Sequence, residues 1–446
     1  QMVSRSIAEG LGLTWGDDHF CIFREHTSGL WYVRSSNDII EHGMFVSLNG
    51  FEYQVYLDVQ QVVDDEDKRY SKLCQLLNGR GVEDLIVAWQ EYEYKDLYAS
   101  LASFVTPKFF EDIATLYTPH PLLKSKKQKA LSPAQFLDSV KEQALAYYEK
   151  EAEFAQKEAQ KTQSKVKEPG LKSSRIRTKS LTQKETRNYE KSQTATAQQR
   201  YAAFCKQIEY LASTVANAQG DATAPTNAKP KPEHSAFKTT FDNLLYEGLR
   251  THQNAAELLS SFASVSSAGK ENCIKWGYDR KLTELMREAG IDLPSARDIL
   301  KRLFVMMRVR DYNFGTSGAV KSTYETSLLL VEGDYAQLLT GANEFNGIRW
   351  FNKERMDETL WYGFAAVVMY SPRILREQIY RLYRTLYAAK EKAEYQCQKF
   401  TDALKPASLT KRSTKTSTAK KSAKKTSTKK TSTKTSAKGS TSSKRK

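Results

Sequence analysis

The sequence predicts an α+β chain that is mainly α: a small antiparallel β-domain, then helices, a flexible charged insertion, an all-helical domain and a disordered Lys-rich tail. Three observations carry this expectation. Between residues 20 and 59, short aromatic and β-branched runs are bounded by hairpin dipeptides, which is strand chemistry. From Asp64, and again from Ser235, apolar residues recur at helical spacing. Between and after those blocks the composition turns to Lys, Ser, Thr, Gln and Ala, too poor in large hydrophobes to recover the entropy lost on ordering. The resulting boundaries are 1–63, 64–123, 124–234, 235–404 and 405–446.

In the first block, Phe20 to Arg24 and Leu30 to Arg34 flank Glu25-His26-Thr27-Ser28-Gly29, a hairpin loop closed by glycine. Met44 to Leu48 and Phe51 to Val59 flank Asn49-Gly50, a strong short hairpin signal, with Tyr53, Val55 and Leu57 on one face. Four short strands with one apolar face are marginal alone, so this sheet is expected to pack on a partner domain.

Helical chemistry follows. Tyr70, Leu73, Cys74, Leu76 and Leu77 share a face that ends at Asn78-Gly79; Leu85, Ile86, Ala88, Trp89 and Tyr92 begin a second helix. Tyr98, Leu101, Ala102, Phe104 and Val105 form a third, stopped at Pro107. Gly79-Arg80-Gly81 lacks the Lys and the glycine spacing of a phosphate loop and is read as a cap and turn. Pro133 to Lys161 is charged, alanine-rich and helical on propensity, with few large apolar residues to bury. Tyr201 to Val215 is an isolated helix within otherwise flexible sequence.

From Ser235 the helices return, around Phe241 to Leu249, Leu258 to Val265, Ile274 to Met286 and Ser295 to Val309. The densest stretch is Gly341 to Phe364. Asn346-Gly347 is a turn dipeptide, Ile348, Trp350 and Phe351 form an apolar patch, and Asn352 stands at a helix N-cap. Glu354 and Asp357 place negative charge in the first turn, and Leu360, Trp361, Phe364, Val367 and Val368 recur at helical spacing. Asn346, Gly347, Trp350, Phe351, Asn352, Glu354 and Trp361 are therefore expected to form a structural core motif. A single long helix is expected from Ser371 to about Leu404.

The net charge of +16 is mostly a property of the tail, because residues 409–446 hold fourteen Lys or Arg and no acid; removing them leaves +2 on the first 408 residues. Such a tail binds polyanions in a salt-sensitive way, as linker-histone tails do. The five cysteines, Cys21, Cys74, Cys205, Cys273 and Cys397, show neither CxxC spacing nor a His partner, and fit a reduced, cytoplasmic protein. No apolar run reaches the length of about 18 residues that a membrane span needs. A start at Gln1 is expected to reflect processing or a fragment.

Catalytic chemistry finds no support. Glu354 and Glu358 share a helix face, but capping and dipole effects explain them better than glycoside hydrolysis. The six histidines form no HxxxH or HExxH pattern; His19, His26 and His42 fall near the sheet as surface residues. No serine lies in a GxSxG elbow. Trp31, Tyr32, Trp350 and Trp361 offer stacking surfaces for a sugar or a base, with buried core the better reading. No catalytic, cofactor-binding or metal-binding residue is assigned.

The run RSSNDIIEHGMFVSLNGFEYQVYLDVQQV resembles the last strands of the β-domain that follows the catalytic barrel in large bacterial α-amylases of glycoside hydrolase family 13. YSKLCQLLNGRGVEDLIVAWQE resembles the helical stretch after that domain, and GANEFNGIRWFNKERMDETLWYGF is similar to the C-terminal block of a multi-domain subgroup. The resemblance covers residues 20–123 and about 235–400. It implies a non-catalytic accessory region, with the barrel upstream in the same polypeptide and α-glucan as substrate of the whole. A (β/α)8 barrel takes about 250 residues of alternating strands and helices. No such alternation exists here, so the family's catalytic residues map to no position in this chain. The rival expectation is a helical interaction protein whose basic tail holds nucleic acid.

Overall fold

The computed structural model describes residues 5–117, 131–166, 195–222, 233–252, 254–312, 319–333, 336–370 and 375–407. The chain is mainly helical with a small antiparallel sheet, as the sequence predicts. It divides into two compact units, Gln1–Asn313 with Glu358–Tyr380, and Phe314–Asp357 with Arg381–Lys446.

The first unit opens with α1 (Ile7–Leu11), whose Ser6 cap and Glu9 form a reciprocal capping box. Next come β1 (His19–Glu25), β2 (Trp31–Ser35), α2 (Ser36–His42) and β3 (Tyr56–Val63). The sheet has three strands in the order β2-β1-β3, both pairs antiparallel. At the β1–β2 corner the Glu25 carboxylate accepts from Thr27 N and Ser28 N at 2.9 and 2.6 Å; the Ser28 hydroxyl first, then these backbone groups, hold its carboxyl down to about 2. A bulge interrupts the β1–β3 ladder between Ile22 and Arg24, where Asp58 takes a left-handed φ of 54° and pairs with Arg24 at 3.0 Å.

Alternation along β1 sends side chains to two cores. Cys21 and Phe23 pack with Ala8 and Ile39 on one face, while Phe20 packs with Val33, Leu73, Leu77 and Trp89 on the other. The second face is roofed by α3 (Arg69–Leu77), which ends at left-handed Asn78, and α4 (Leu85–Glu93), capped by Asp84. The expected boundary at 63/64 therefore runs through a shared core. The sheet's covering partner is the helical segment that follows it.

The remaining helices of this unit are α5 (Lys95–Phe104), α6 (Pro107–Tyr117), α7 (Pro133–Val166), α8 (Ala197–Ala222), α9 (Glu233–Thr251), α10 (Ala255–Val265), α11 (Lys270–Lys275), α12 (Tyr278–Glu288) and α13 (Leu293–Tyr312). Helix α7 corrects the expectation of isolated helices in a flexible insertion. It packs on α5 and α8 and buries Phe136, Ala144, Tyr147, Tyr148, Glu151 and Ala155. Four buried aromatics, Phe154 included, suffice because the alanines let neighbouring helices approach and the tyrosine hydroxyls find partners: Tyr148 donates to Ser264 O, and Tyr147 meets the Tyr278 hydroxyl, both at 3.0 Å. Phe104, Phe109 and Phe204 complete the cluster with edge and stacked contacts. Hydrogen bonds also link the 64–123 block to the 235–404 block: Tyr98 donates to Trp276 O at 2.6 Å and Gln90 to Lys275 O at 3.2 Å. Of the flexible stretches expected at 162–195 and 217–232 and the tail expected at 405–446, residues 167–194, 223–232 and 408–446 lie outside the described residues, while α7 runs on to Val166 and α8 to Ala222.

In the second unit are α14 (Ala319–Glu332), α15 (Ala336–Thr340), β4 (Asn343–Phe345), β5 (Ile348–Trp350), the start of α16 (Lys353–Tyr370), most of α17 (Arg376–Lys392) and α18 (Cys397–Leu404). The β4–β5 turn places Asn346 and Gly347 at φ 52° and 73°, the paired left-handed geometry of a tight hairpin. The long helix expected over 371–404 is instead two helices. The break lies at Glu394 and Tyr395, both left-handed, where Tyr395 O accepts from Phe351 N at 2.8 Å.

Candidate functional site

Two features of the N-terminal sheet stand apart from ordinary core. The first is a cleft of about 290 Å³ between the sheet, α3 and the start of α4, lined by Ile22, Trp31, Arg69, Tyr70, Leu73, Asp84, Leu85 and Ile86. Ile22, Tyr70 and Leu85 pack against the Phe20 core, so the floor is apolar. Trp31 is half-buried; it starts β2 and is tied to Val82 by N–H to carbonyl bonds in both directions, 2.7 and 2.9 Å long. Arg24 lies over its indole at 5.9 Å.

Two opposite charges flank that floor. Asp84 Oδ1 accepts from Ile86 N and Val87 N at 2.7 and 3.1 Å, which caps α4 and fixes the carboxylate at the cleft. Arg69 reaches Asp65 at 3.3 Å and lies over Trp89 at 5.8 Å, while its Nε is shut off from solvent without an acceptor. An apolar floor, an indole wall, one cation and one anion suit a small neutral ligand with flat apolar faces and a polar rim.

The second feature is an apolar run ahead of and into β3. Phe45, Val46, Leu48, Phe51, Tyr53, Val55 and Leu57 are all exposed, with Phe45 at 94% and Phe51 at 108% of full accessibility. β3 is also an edge strand without an outer strand partner among the described residues. The expected strand at 44–48 is absent. The turn at Asn49-Gly50 does form, with Glu52 N donating to Asn49 O at 3.1 Å and the Glu52 carboxylate accepting from Asn49 N at 2.8 Å. Its arms do not pair with each other; the second instead joins β1, through Val55 O accepting from His26 N at 2.8 Å and then as β3, and a bare two-stranded ribbon is marginal in water. Contiguous apolar exposure of this kind marks an interaction surface.

The expected core motif divides between the two units, with Asn346, Gly347, Trp350, Phe351, Asn352 and Glu354 in the second and Trp361 in the first. Asn352 is the N-cap expected of it, its Oδ1 accepting from Arg355 N at 2.9 Å. Phe351 packs on Tyr395 and Phe400, and Trp350 bridges to Gln396. Trp361 is buried, donating from Nε1 to Leu244 O at 3.0 Å. Asp357 pairs with Lys390, and Glu358 with Arg302 at 2.8 Å.

Elsewhere, Glu151 is fully buried against Arg200 at 3.2 Å and accepts from Ser267 Oγ at 2.8 Å. Burial pushes its carboxyl up to about 7 despite the opposing pull of Arg200. Among the described residues no group of three or more His, Cys, Asp or Glu side chains is placed to hold a metal, and none of the five cysteines forms a disulfide. His19 pairs with Asp18 and His42 with Asp38, at 2.9 and 3.0 Å. No helix among the described residues is long and apolar enough to cross a membrane.

Sequence reasoning missed the cleft. Of its lining residues only Trp31 is a stacking surface in the sequence, and Asp84, set directly before the apolar face of α4, is a readable cap whose role at a cleft depends on where β2 lies. No family model, curated protein or solved structure matches the chain.

Proposed function

We propose that the chain is the non-catalytic accessory region of an α-amylase-like glycoside hydrolase, acting in the cytoplasm, with the barrel that hydrolyses α-glucan in the same polypeptide. The observation that carries this reading is the exposed apolar run. Residues 45–57 lie inside the stretch that resembles the post-barrel strands of family 13 enzymes, and they are the residues left uncovered. An edge strand preceded by uncovered phenylalanines and valines supports docking on a further folded body. Cysteines outside any disulfide accord with a reducing compartment. The parent reaction would be retaining cleavage of α-1,4 bonds by barrel carboxylates.

The experiment is the intact mass of the protein from its source cells, with peptide mapping upstream of Gln1 and an α-glucan hydrolysis assay on the same fraction. A species larger by a barrel of about 250 residues, carrying activity, is expected. A native species of 50.7 kDa would sink the reading.

The Lys-rich tail favours a second reading, in which the helices dock a partner and residues 409–446 hold nucleic acid. Deletion of those residues would then abolish binding to duplex DNA at low salt.

A further inference from the structure

We infer that the cleft between the sheet and helices α3 and α4 is a binding site for a single pyranose ring. The argument rests on size, charge and the kind of surface present. At about 290 Å³ the cavity falls just under the roughly 300–1,000 Å³ range of drug-sized sites, room for one sugar ring. Ile22, Leu73 and Leu85 offer apolar floor for the C–H faces of the ring, and Trp31 and Tyr70 give it aromatic walls.

Charge then selects among flat ligands. Arg69 would oppose a net cation and Asp84 a net anion, so the pair favours a molecule without net charge. Asp84 spends Oδ1 on the α4 cap and keeps Oδ2 for a ligand hydroxyl. Arg69 brings the outer nitrogens of its guanidinium, one of them paired with Asp65 at 3.3 Å. A donor on one side and an acceptor on the other suit the hydroxyls of a sugar, which both give and take hydrogen bonds. Preference for a glucosyl unit of an α-glucan rests on the accessory-region reading; preference for a neutral pyranose does not.

The test is saturation-transfer NMR and calorimetry on the full chain with glucose, maltose and cellobiose. A Kd of about 1 mM is expected for maltose, in keeping with one buried ring. Trp31→Ala should weaken it about tenfold or more. Because Trp31 also packs the sheet, Asp84→Asn is the companion variant: asparagine caps helices as well as aspartate, so the fold is kept while the anionic acceptor is lost. It should weaken binding severalfold with an unchanged far-ultraviolet spectrum. Failure of all three sugars to bind, or binding untouched by both substitutions, would overturn the inference. Equal affinity for cellobiose and maltose would keep the pyranose site and remove its glucan preference. A barrel found upstream of a cleft that binds no sugar would leave the accessory reading standing alone.

Discussion

Gly248 in α9 is where one added methyl group should do the most damage. A Cβ there would lie 1.9 Å from Trp361 Cε2 and 2.1 Å from Nε1, far inside contact distance. The indole cannot step aside cheaply. It is 2% exposed, donates to Leu244 O at 3.0 Å, and is flanked by His252 and Tyr362 with ring centroids 4.9 and 5.1 Å away. Two effects compete in Gly248→Ala. Helix propensity favours alanine by about 1 kcal/mol. Against it stand overpacking, typically about 1–3 kcal/mol or more, and strain on a hydrogen bond contributing about 1 kcal/mol. The clash should win, with a net loss of about 1–3 kcal/mol. Urea unfolding followed by circular dichroism reads this as a lower midpoint at unchanged slope. Phe at 361 lacks the atoms that clash, so Gly248→Ala with Trp361→Phe should lose less than the sum of the singles, by at least about 0.5 kcal/mol. An equal or higher midpoint for Gly248→Ala would refute the reasoning, and so would strict additivity.

Three further outcomes are expected. Glu151 has a folded pKa near 7, above the roughly 4.3 of an unfolded glutamate, so its stabilising contribution is complete below that lower value and is lost as pH rises through 7. Wild-type unfolding free energy should therefore fall from pH 4.5 to 7 relative to Glu151→Gln; parallel profiles would contradict it. The Lys390 side chain, 2% exposed, is paired with Asp357 and Glu391, so Asp357→Asn should leave a poorly compensated cation and speed hydrogen exchange in the C-terminal half of α17. Its cost should be about 2 kcal/mol, less than the roughly 3–5 kcal/mol of a fully buried pair because Glu391 remains, and Lys390→Met should cost less still. Phe45→Asp and Phe51→Asp should change unfolding free energy by under about 0.5 kcal/mol, since both side chains are exposed; a large loss would show that they are core.

Local chemistry was legible wherever one segment decides the outcome. Asn346-Gly347, the Asn352 cap, the α3 stop at Asn78 and the β1–β2 hairpin all lie where the sequence predicts them. What failed was inference about covering. Helix α7 looked too charged to be core, but the Phe136, Tyr147, Tyr148 and Glu151 stripe meets partners more than a hundred residues away in sequence, among them Ser264 and Tyr278. The 371–404 helix breaks because Tyr395 O is engaged by Phe351, a tertiary demand without local signature. Helix α14 was missed altogether. The cleft was hidden for the same reason, since Asp84 and Trp31 are brought together by the Trp31–Val82 bridge.

The most direct test of the accessory role is hydrogen exchange at residues 44–57, measured in the native polypeptide from source cells and in this chain alone. Strong protection of Phe45 to Leu57 in the native species, lost in the isolated chain and in native Phe51→Asp, is the expected result. Equal, fast exchange in both would mean that no barrel rests on the sheet.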